Sequence, residues 1–327
     1  MERVLSTYVN CSLGGMTSVY RARALANPST RYDLVFTKDR GGESAFADLP
    51  NCNVRIVRPD RLKNYLSFAL ATVDYDLFTV TSQPELMNQV SAPARTKVVY
   101  EVHAPIETVV ESEMRTLDVT RVDEIWAPSE WAADVVQQAL PRRKHARVRA
   151  VPNLIDRTRF NPTAREVAPL RGRPGAIPVI WIGRMENVQK NYTDFLRVLR
   201  LLPPEYYGLL LFSFETDPAR MSAVLGAAGM LGVEDRIDFY FNVPQQDVGA
   251  LHRAVRDAGG VFCSTALSES YGYGVVEAGA CGLPVAAYDV GPLSEHVLED
   301  YRLVPVGDLR GMAHAVRALS GRVTAEA

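Results

Sequence analysis

Short apolar runs alternate with longer stretches of helical period along almost the whole sequence. Helices are predicted at Thr17–Ala26 and Trp131–Leu140. The predicted strands include Val4–Val9, Leu77–Thr81, Thr96–Val102, Glu124–Ala127, Gly208–Phe214, Ile237–Phe241, Val261–Ser264 and Val285–Tyr288. The strand runs are apolar on both faces, as in a parallel sheet that helices cover on both sides. The alternation therefore predicts an α/β fold built from doubly wound parallel sheets.

The alternation pauses once, between Asn153 and Pro178, where the sequence is rich in Pro, Arg, Gly and Asn and has little periodicity. Such a stretch is typical of a linker. A chain of 327 residues also suits two domains better than one core. We therefore predict an amino-terminal Rossmann-like domain at 1–155, a linker at 156–176 and a second Rossmann-like domain at 177–327.

Composition excludes several classes of protein. The formal net charge of -2 gives no general attraction to nucleic acid. No stretch approaches the ~18–20 apolar residues of a membrane-spanning helix, and the start of the chain does not resemble a secretory signal, so we expect a cytoplasmic protein. The four cysteines (Cys11, Cys52, Cys263 and Cys281) are scattered, without CxxC or paired histidine spacing. They predict reduced thiols and no zinc site.

The segment from Ser264 to Val285 carries the strongest chemical signal. A strand ends at Ser264, a loop with glycines follows, and a helix opens. Glu269 lies on the loop and Glu277, eight positions later, lies inside the helix. Backbone N–H groups at a helix start can hold an anion, and carboxylates accept hydrogen bonds from sugar hydroxyls. The spacing alone leaves open that Glu269 caps the helix and that Glu277 is a solvated surface charge.

The same glycines permit a second interpretation. The segment 272–277 resembles the GxGxxG fingerprint of dinucleotide-binding proteins, although the third glycine is missing. That fingerprint needs a tight turn directly after the strand, and several residues separate Ser264 from Gly272. The segment is therefore weak evidence for an NAD site.

The Glu-x7-Glu pattern, with Ala-Cys-Gly-Leu-Pro-Val after it, resembles the retaining GT-B glycosyltransferases of family 4, the glycosyl transferases group 1. The resemblance continues in order along nearly the whole chain. It includes Gly14-Gly15, Tyr100–Pro105, Val122–Ser129, Val151–Asp156, Ile182–Arg184 with Lys190, and Gly291–Glu295. It implies a GT-B fold in which two Rossmann-like parallel-sheet domains face a central cleft.

The resemblance also implies roles for single residues. Arg184 and Lys190 would stabilise the negative charge that develops on a leaving nucleoside diphosphate, without a metal. Glu269 would contact sugar hydroxyls, and Glu277 would bind the ribose. His103 would lie beside the transferred sugar. These five residues also have ordinary alternatives, since Arg184 and Lys190 can be a surface pair and His103 a hydrogen-bonded structural residue.

The remaining implied contacts are made largely by backbone. Gly14 and Gly15 would approach the diphosphate closely because they lack side chains. The loop Tyr271-Gly272-Tyr273 would contact the sugar and phosphate, and Asn242-Val243 would contact the nucleobase. Backbone contacts to the base leave UDP and GDP unresolved.

The predicted function is retaining transfer of a sugar from a UDP- or GDP-sugar donor to a hydroxyl acceptor, with no metal and no other cofactor. A nucleotide-sugar epimerase of the same architecture and a non-catalytic two-domain small-molecule binding protein remain alternatives. The basic run Arg142–Arg149 predicts weak peripheral contact with an acidic membrane, although a solvated helix-to-strand turn explains it more simply. No nucleic acid partner is expected.

Overall fold

A computed structural model describes residues 1–104, 106–142, 145–164, 170, 173, 175–212, 219–296 and 300–321, apart from the side chains of Gln245 and Gln246. The chain divides into two compact units, Met1–Leu154 and Ile155–Ala327. Each unit has its own parallel sheet and its own buried apolar core.

The first unit alternates strands and helices from its start. Its elements are β1 (Arg3–Ser12), α1 (Gly15–Ala26), β2 (Arg31–Arg40), β3 (Cys52–Ile56), α2 (Pro59–Thr72), β4 (Leu77–Thr81), α3 (Pro84–Met87), β5 (Lys97–Glu101), α4 (Glu107–Thr116), β6 (Glu124–Ala127), α5 (Glu130–Ala139) and β7 (Val148–Ala150). The strands lie in the order β3-β2-β1-β4-β5-β6-β7, and every pair is parallel.

The second unit repeats the pattern. Its elements are β8 (Ile177–Gly183), α6 (Tyr192–Leu201), β9 (Tyr206–Phe212), α7 (Arg220–Leu231), β10 (Ile237–Phe241), α8 (Gln245–Asp257), β11 (Val261–Ser264), α9 (Tyr273–Ala280), β12 (Val285–Tyr288), β13 (Tyr301–Val304) and α10 (Leu309–Leu319). The strands lie in the order β10-β9-β8-β11-β12-β13, again all parallel.

Both strand orders reverse direction once. The first sheet grows outward from β1 and then from β4 on its other side, and the second does the same from β8 and β11. In such sheets the loops after the two strands at the reversal point leave in opposite directions and open a crevice for ligands. The topology therefore predicts ligand sites at the loops after β1 and β4 in the first unit and after β8 and β11 in the second unit.

The predicted α/β fold with two doubly wound parallel sheets is confirmed. The bounds of β4, β6, β10, β11 and β12 are those predicted, because these strands are short, apolar and bounded by polar residues. Three elements, α3, α4 and β13, were not predicted. Phe214, the predicted end of β9, lies outside the described residues.

Two smaller expectations also have an outcome. All four cysteines are free thiols, three of them buried and Cys52 half-buried, as predicted. Within the described ranges, no helix combines the length and the apolar character needed to cross a bilayer.

Candidate functional site

Two loops of the second unit leave the sheet side by side at its reversal point. The first runs from β8 to α6 and carries Arg184 and Lys190, and the second runs from β11 to α9 and carries Glu269. Because β8 and β11 are paired strands, their carboxyl ends meet at one edge of the sheet. Residues separated by about eighty positions in sequence are thereby brought together.

Hydrogen bonds join these two loops into one structure. The backbone N–H of Leu267 donates to the carbonyl of Gln189 at 2.7 Å, and the Gln189 side chain donates to the carbonyl of Ser268 at 3.2 Å. The fully buried Thr265 hydroxyl donates to the carbonyl of Asn191 at 2.8 Å and accepts from the Trp181 indole at 3.1 Å. These hydrogen bonds hold the two loops together.

Glu186 shapes the first loop. Its carboxylate accepts hydrogen bonds from the backbone N–H groups of Gln189 at 2.8 Å and of Lys190 at 2.9 Å. The next residue, Asn191, has the left-handed φ of 51° and caps α6 by accepting from the backbone N–H of Asp194. A tight turn followed by a helix cap fixes the backbone at Lys190.

The two loops meet chemically at Lys190 and Glu269. The Lys190 Nζ lies 2.5 Å from the Glu269 Oε1, and the two side chains are 24% and 12% exposed. An ion pair this close and mostly shielded from water is stronger than a pair on an open surface. The pair fixes a cation and an anion at the edge where the crevice opens.

Arg184 stands at the start of the first loop. Its guanidinium donates to the Gln189 side chain and lies 3.9 Å from the Glu186 carboxylate. The side chain is 44% exposed, and a guanidinium has five N–H donors. Arg184 therefore keeps donors for an anionic ligand while its neighbours hold its direction.

The second loop ends at Gly272, which directly precedes α9. Gly272 has a φ of 83°, and a Cβ there would lie 2.3 Å from the Leu293 side chain, so glycine is required on two grounds. Gly272 is the N-cap, and no side chain caps this helix. The alternative that Glu269 caps α9 is therefore wrong.

Glu277 lies inside α9 and is buried. Burial, with a smaller contribution from the nearby Asp156 carboxylate, raises the pKa of Glu277 from 4.5 to about 8. Its carboxylate forms no hydrogen bond or ion pair with any residue in the described part of the chain. The alternative that Glu277 is a solvated surface charge is wrong.

Tyr271 packs inward beside Gly272. It is buried, and its ring lies edge-on to Tyr273 at 5.0 Å and to His296 at 4.8 Å between ring centres. Its carbonyl accepts a hydrogen bond from the His296 Nε2 at 3.1 Å. Burial raises the pKa of its hydroxyl. These contacts make Tyr271 a support for the loop as well as a candidate lining residue.

Asn242 and Val243 follow β10, the strand at one edge of the second sheet. Asn242 has the left-handed φ of 46°, and its N–H donates to the carbonyl of Phe212 at 2.9 Å. Val243 and the residues of β10 line an open groove of about 590 Å³. This turn fixes the backbone conformation of Asn242 at the end of β10.

Gly14 and Gly15 lie at the reversal point of the first sheet, directly after β1. Gly15 begins α1, and Gly14 is an extended N-cap with no side-chain cap. The Gly14 N–H donates to the Ser12 hydroxyl at 3.3 Å. A helix start without a side chain in front of it lets a ligand approach the backbone.

His103 lies after β5 in the same unit and is held by two residues that sequence reasoning did not single out. Its Nε2 is 3.1 Å from the Oε2 of Glu101, whose side chain is fully buried. Both oxygens of Glu101 accept from the Arg23 guanidinium at 2.9 Å. Burial would raise the pKa of Glu101, but Arg23 and His103 hold it well below its usual range.

One signal for these missed residues was present in the sequence. Glu101 is a charge that directly follows the apolar residues Val98, Val99 and Tyr100 of β5, and a buried charge requires a partner. Nothing in the sequence pattern identified that partner as Arg23, which lies 78 positions earlier. Glu186 and Thr265, which shape and join the loops of the second unit, gave no signal beyond their proximity to predicted residues.

The basic run Arg142–Arg149 is only partly described, since Arg143 and Lys144 lie outside the described residues. Arg147 and Arg149 each lie 3.3 Å from the carboxylate of Glu124. That buried carboxylate offsets part of the positive charge. Pro105, which follows the motif containing His103, also lies outside the described residues.

Residues 177–321 match the family model described as glycosyl transferases group 1. The matched residues include both joined loops, α9 and the turn after β10.

Curated relatives match part of the chain over part of their own length. The chain is 30% identical over 167 residues to D-inositol 3-phosphate glycosyltransferase of Nocardia farcinica, covering 46% of this chain and 34% of the relative. It is 32% identical over 141 residues to the protein of the same name from Mycolicibacterium gilvum, covering 42% and 31%. The chain thus spans about a third of the length of the curated relatives it matches.

Solved structures resemble the whole chain. Sucrose-phosphate synthase from Thermosynechococcus elongatus superposes with a TM-score of 0.76 at 18% identity, covering 98% of this chain and 90% of that chain. Anabaena HepE in complex with UDP-glucose gives a TM-score of 0.78 at 17% identity, covering 97% and 89%. These likenesses show that the chain has the GT-B fold, as predicted.

Proposed function

We propose that this protein is a retaining, metal-independent glycosyltransferase that moves a sugar from a UDP- or GDP-sugar to a hydroxyl acceptor. The observation that carries the proposal is the pair formed by Lys190 and Glu269 at 2.5 Å, on two loops hydrogen-bonded together at the reversal point of the sheet. A fixed cation beside a fixed carboxylate suits a ligand with both phosphates and hydroxyls.

The cations of the first loop would act on the leaving group. As the bond between the sugar and the diphosphate breaks, negative charge grows on the phosphate oxygens. Lys190 is already fixed and needs little reorganisation, and Arg184 has exposed donors that can fork onto two oxygens. Because these groups carry the charge, the proposal needs no metal ion.

The two carboxylates would bind hydroxyls. Glu269 would accept from the transferred sugar while it keeps Lys190 in place. Glu277 is buried without a partner among the described residues, and its pKa of about 8 leaves it largely protonated in the empty site at neutral pH. Ribose hydroxyls would supply the hydrogen-bond partners that a buried carboxyl group needs.

The other predicted residues complete the proposal. Gly272 and its neighbours Tyr271 and Tyr273 would contact the sugar and phosphate, and Asn242-Val243 would meet the nucleobase. In the first unit, Gly14-Gly15 would approach the diphosphate by backbone and His103 would contact the transferred sugar. For retention, the leaving diphosphate itself would accept the proton of the attacking hydroxyl, so no separate base is assigned.

The comparisons support a nucleotide-sugar donor. Anabaena HepE was solved with UDP, with UDP and glucose, and with UDP-glucose. The curated relatives are named for transfer to D-inositol 3-phosphate, a phosphorylated polyol. A hydroxyl-bearing acceptor is therefore consistent with these relatives, while its identity is not part of the proposal. Contact with an acidic membrane through Arg142–Arg149 stays a prediction.

A ligand screen tests the proposed function. Thermal unfolding is followed with UDP-, GDP- and dTDP-sugars and with NAD, and each mixture is analysed by mass spectrometry and NMR for released diphosphate. We expect a UDP- or GDP-sugar to raise the unfolding temperature and to be slowly hydrolysed. Stabilisation by NAD alone would contradict the proposal. Conversion of UDP-N-acetylglucosamine to its 2-epimer without an acceptor would identify an epimerase instead.

A further inference from the structure

In the first unit, hydrogen bonds link Arg23, Glu101 and His103, and the donor and acceptor of each bond can be assigned. Glu101 is fully buried, and both of its oxygens accept from Arg23. A carboxylate held in this way by a guanidinium stays ionised, and an ionised carboxylate can only accept hydrogen bonds. The contact at 3.1 Å between Glu101 and His103 therefore requires the histidine Nε2 to donate.

This requirement fixes the state of the other ring nitrogen. In a neutral imidazole only one nitrogen carries a proton, so donation from Nε2 leaves Nδ1 as an acceptor. The Nδ1 of His103 forms no hydrogen bond with another residue in the described ranges. The His103 side chain is 11% exposed, so the ring is mostly buried but a small part of it is accessible to solvent.

We infer that Glu101 is a positioning residue, which together with Arg23 holds His103 as the Nε2–H tautomer so that Nδ1 accepts a hydrogen bond from a hydroxyl of the transferred sugar. The contact to the sugar rests on the proposed function, whereas the tautomer does not. A cation–π contact also holds Arg23, because its guanidinium carbon lies 5.9 Å from the centre of the Trp126 ring. Arg23 on α1 and Glu101 on β5 therefore determine which ring nitrogen of His103 carries the proton.

The wild-type protein tests the tautomer directly. In long-range proton–nitrogen NMR spectra of protein labelled with ¹⁵N-histidine, recorded at about pH 8.5 where an ordinary imidazole is neutral, the two tautomers give different nitrogen shifts. The chain has five histidines, and loss of one set of signals in His103→Asn assigns the relevant one. We expect Nε2–H with a bare Nδ1. The Nδ1–H tautomer would overturn the inference whether or not any sugar is transferred.

Glu101→Gln tests the positioning role. Arg23 would hold the amide oxygen, which turns the amide NH₂ toward His103 and makes Nε2 an acceptor, so the ring should switch to Nδ1–H. With the nucleotide-sugar that the screen identifies, kcat should fall about tenfold or more, with a smaller change in KM for the donor. An unchanged tautomer and an unchanged kcat in this variant would contradict the inference.

The same helix offers a matched control. Arg21 forms a two-pronged pair with Asp48 at 2.5 and 2.6 Å, with no histidine in it. Asp48→Asn should lower stability to a similar degree while it leaves the His103 spectrum and kcat at their wild-type values. A change in the His103 tautomer in Asp48→Asn would show that general loosening of α1 is the cause. If Glu101→Gln does not fold, the wild-type spectrum still decides.

Discussion

At the scale of the single residue, Glu277 shows how a group proposed to bind a ligand can oppose folding. Its pKa of about 8 lies above the 4.5 of an ordinary glutamate, so the folded protein binds a proton that the unfolded chain has released. The contribution of protonated Glu277 to the free energy of unfolding is complete below pH 4.5 and is lost as the pH rises toward 8. A buried carboxylate with this cost is expected where a ligand needs it.

Glu277→Gln should therefore stabilise the protein at higher pH. Its advantage should grow by up to about 1.4 kcal/mol per pH unit between pH 4.5 and 8, while nucleotide binding weakens roughly 10- to 100-fold. Thermal unfolding at pH 5 and pH 8, with calorimetric titration of the nucleotide, measures both effects. Glu205→Gln removes an exposed carboxylate of the same unit and should change neither. Equal pH dependence in Glu277→Gln and wild type would contradict the assigned burial.

Lys190 and Glu269 make a second prediction at this scale. Lys190→Ala removes a fixed cation from the proposed leaving group and should lower kcat about 100-fold or more. Glu269→Gln keeps the shape but removes the charge that holds Lys190, and should lower kcat at least about tenfold. Steady-state kinetics measure both, and thermal unfolding checks that the fold is intact.

A surface ion pair on α4 provides the control. Arg115 lies 3.9 Å from Glu111, and the two side chains are 67% and 53% exposed. Arg115→Ala should leave kcat unchanged, because an exposed pair contributes little and these two residues are not part of the proposed site. Near-normal rates in both Lys190→Ala and Glu269→Gln would rule out the roles assigned to them.

At the scale of the element, the turn from β8 into its loop depends on the absence of a side chain. A Cβ on Gly183 would lie 2.5 and 2.8 Å from the Trp181 ring and 2.9 Å from the Lys190 Cβ. Gly183→Ala should therefore cost about 1–3 kcal/mol and displace Lys190, so that nucleotide affinity falls as well. Chemical unfolding and calorimetric titration measure the two effects.

Gly226 in α7 is the matched control for Gly183. No heavy atom lies within 4 Å of a Cβ added at Gly226. Because alanine favours a helix interior more than glycine does, Gly226→Ala should stabilise the protein by about 0.5–1 kcal/mol and leave affinity unchanged. A Gly183→Ala variant that binds the nucleotide as tightly as wild type would show that this turn does not position Lys190.

The elements also show what sequence can predict. Buried strands such as β4 and β11 are short, uniformly apolar and bounded by polar residues, so their limits are visible in the pattern. The missed α4 contains few apolar residues, with Val110 and Met114 buried, and the missed β13 is an edge strand with an exposed Arg302. Elements that are half exposed give weak patterns because only part of their surface must be apolar.

The residues of the candidate site likewise include some that the sequence predicts and some that it does not. The residues that act directly on a ligand in the proposal were recognisable by type and order, as with Arg184, Lys190 and Glu269. The contacts that hold them were not, because they depend on which loops the sheet brings together. The hydrogen bonds of Thr265 to Asn191 and Trp181 join segments about 75 to 85 positions apart. Such distances in sequence carry no period or spacing that can be read in advance.

At the scale of the whole molecule, the proposal assigns the charge of the leaving group to side chains. No group of three or more His, Cys, Asp or Glu residues is placed to hold a metal ion within the part of the chain that the structure describes. Because Arg184 and Lys190 carry the charge of the leaving group in the proposal, turnover should keep its rate in excess EDTA and gain nothing from added Mg²⁺ or Mn²⁺. Initial rates with and without chelator measure this, and a rate that collapses in EDTA and returns with metal would contradict it.

The most direct test of the central claim is release of nucleoside diphosphate from the donor that binds best, with wild type and Lys190→Ala measured side by side at saturating donor. The proposal predicts measurable release by the wild type, at least as slow hydrolysis and faster once a hydroxyl acceptor is found, and about 100-fold less release by Lys190→Ala at an unchanged fold. Absence of release from every UDP- and GDP-sugar, or equal release by the two proteins, would contradict it.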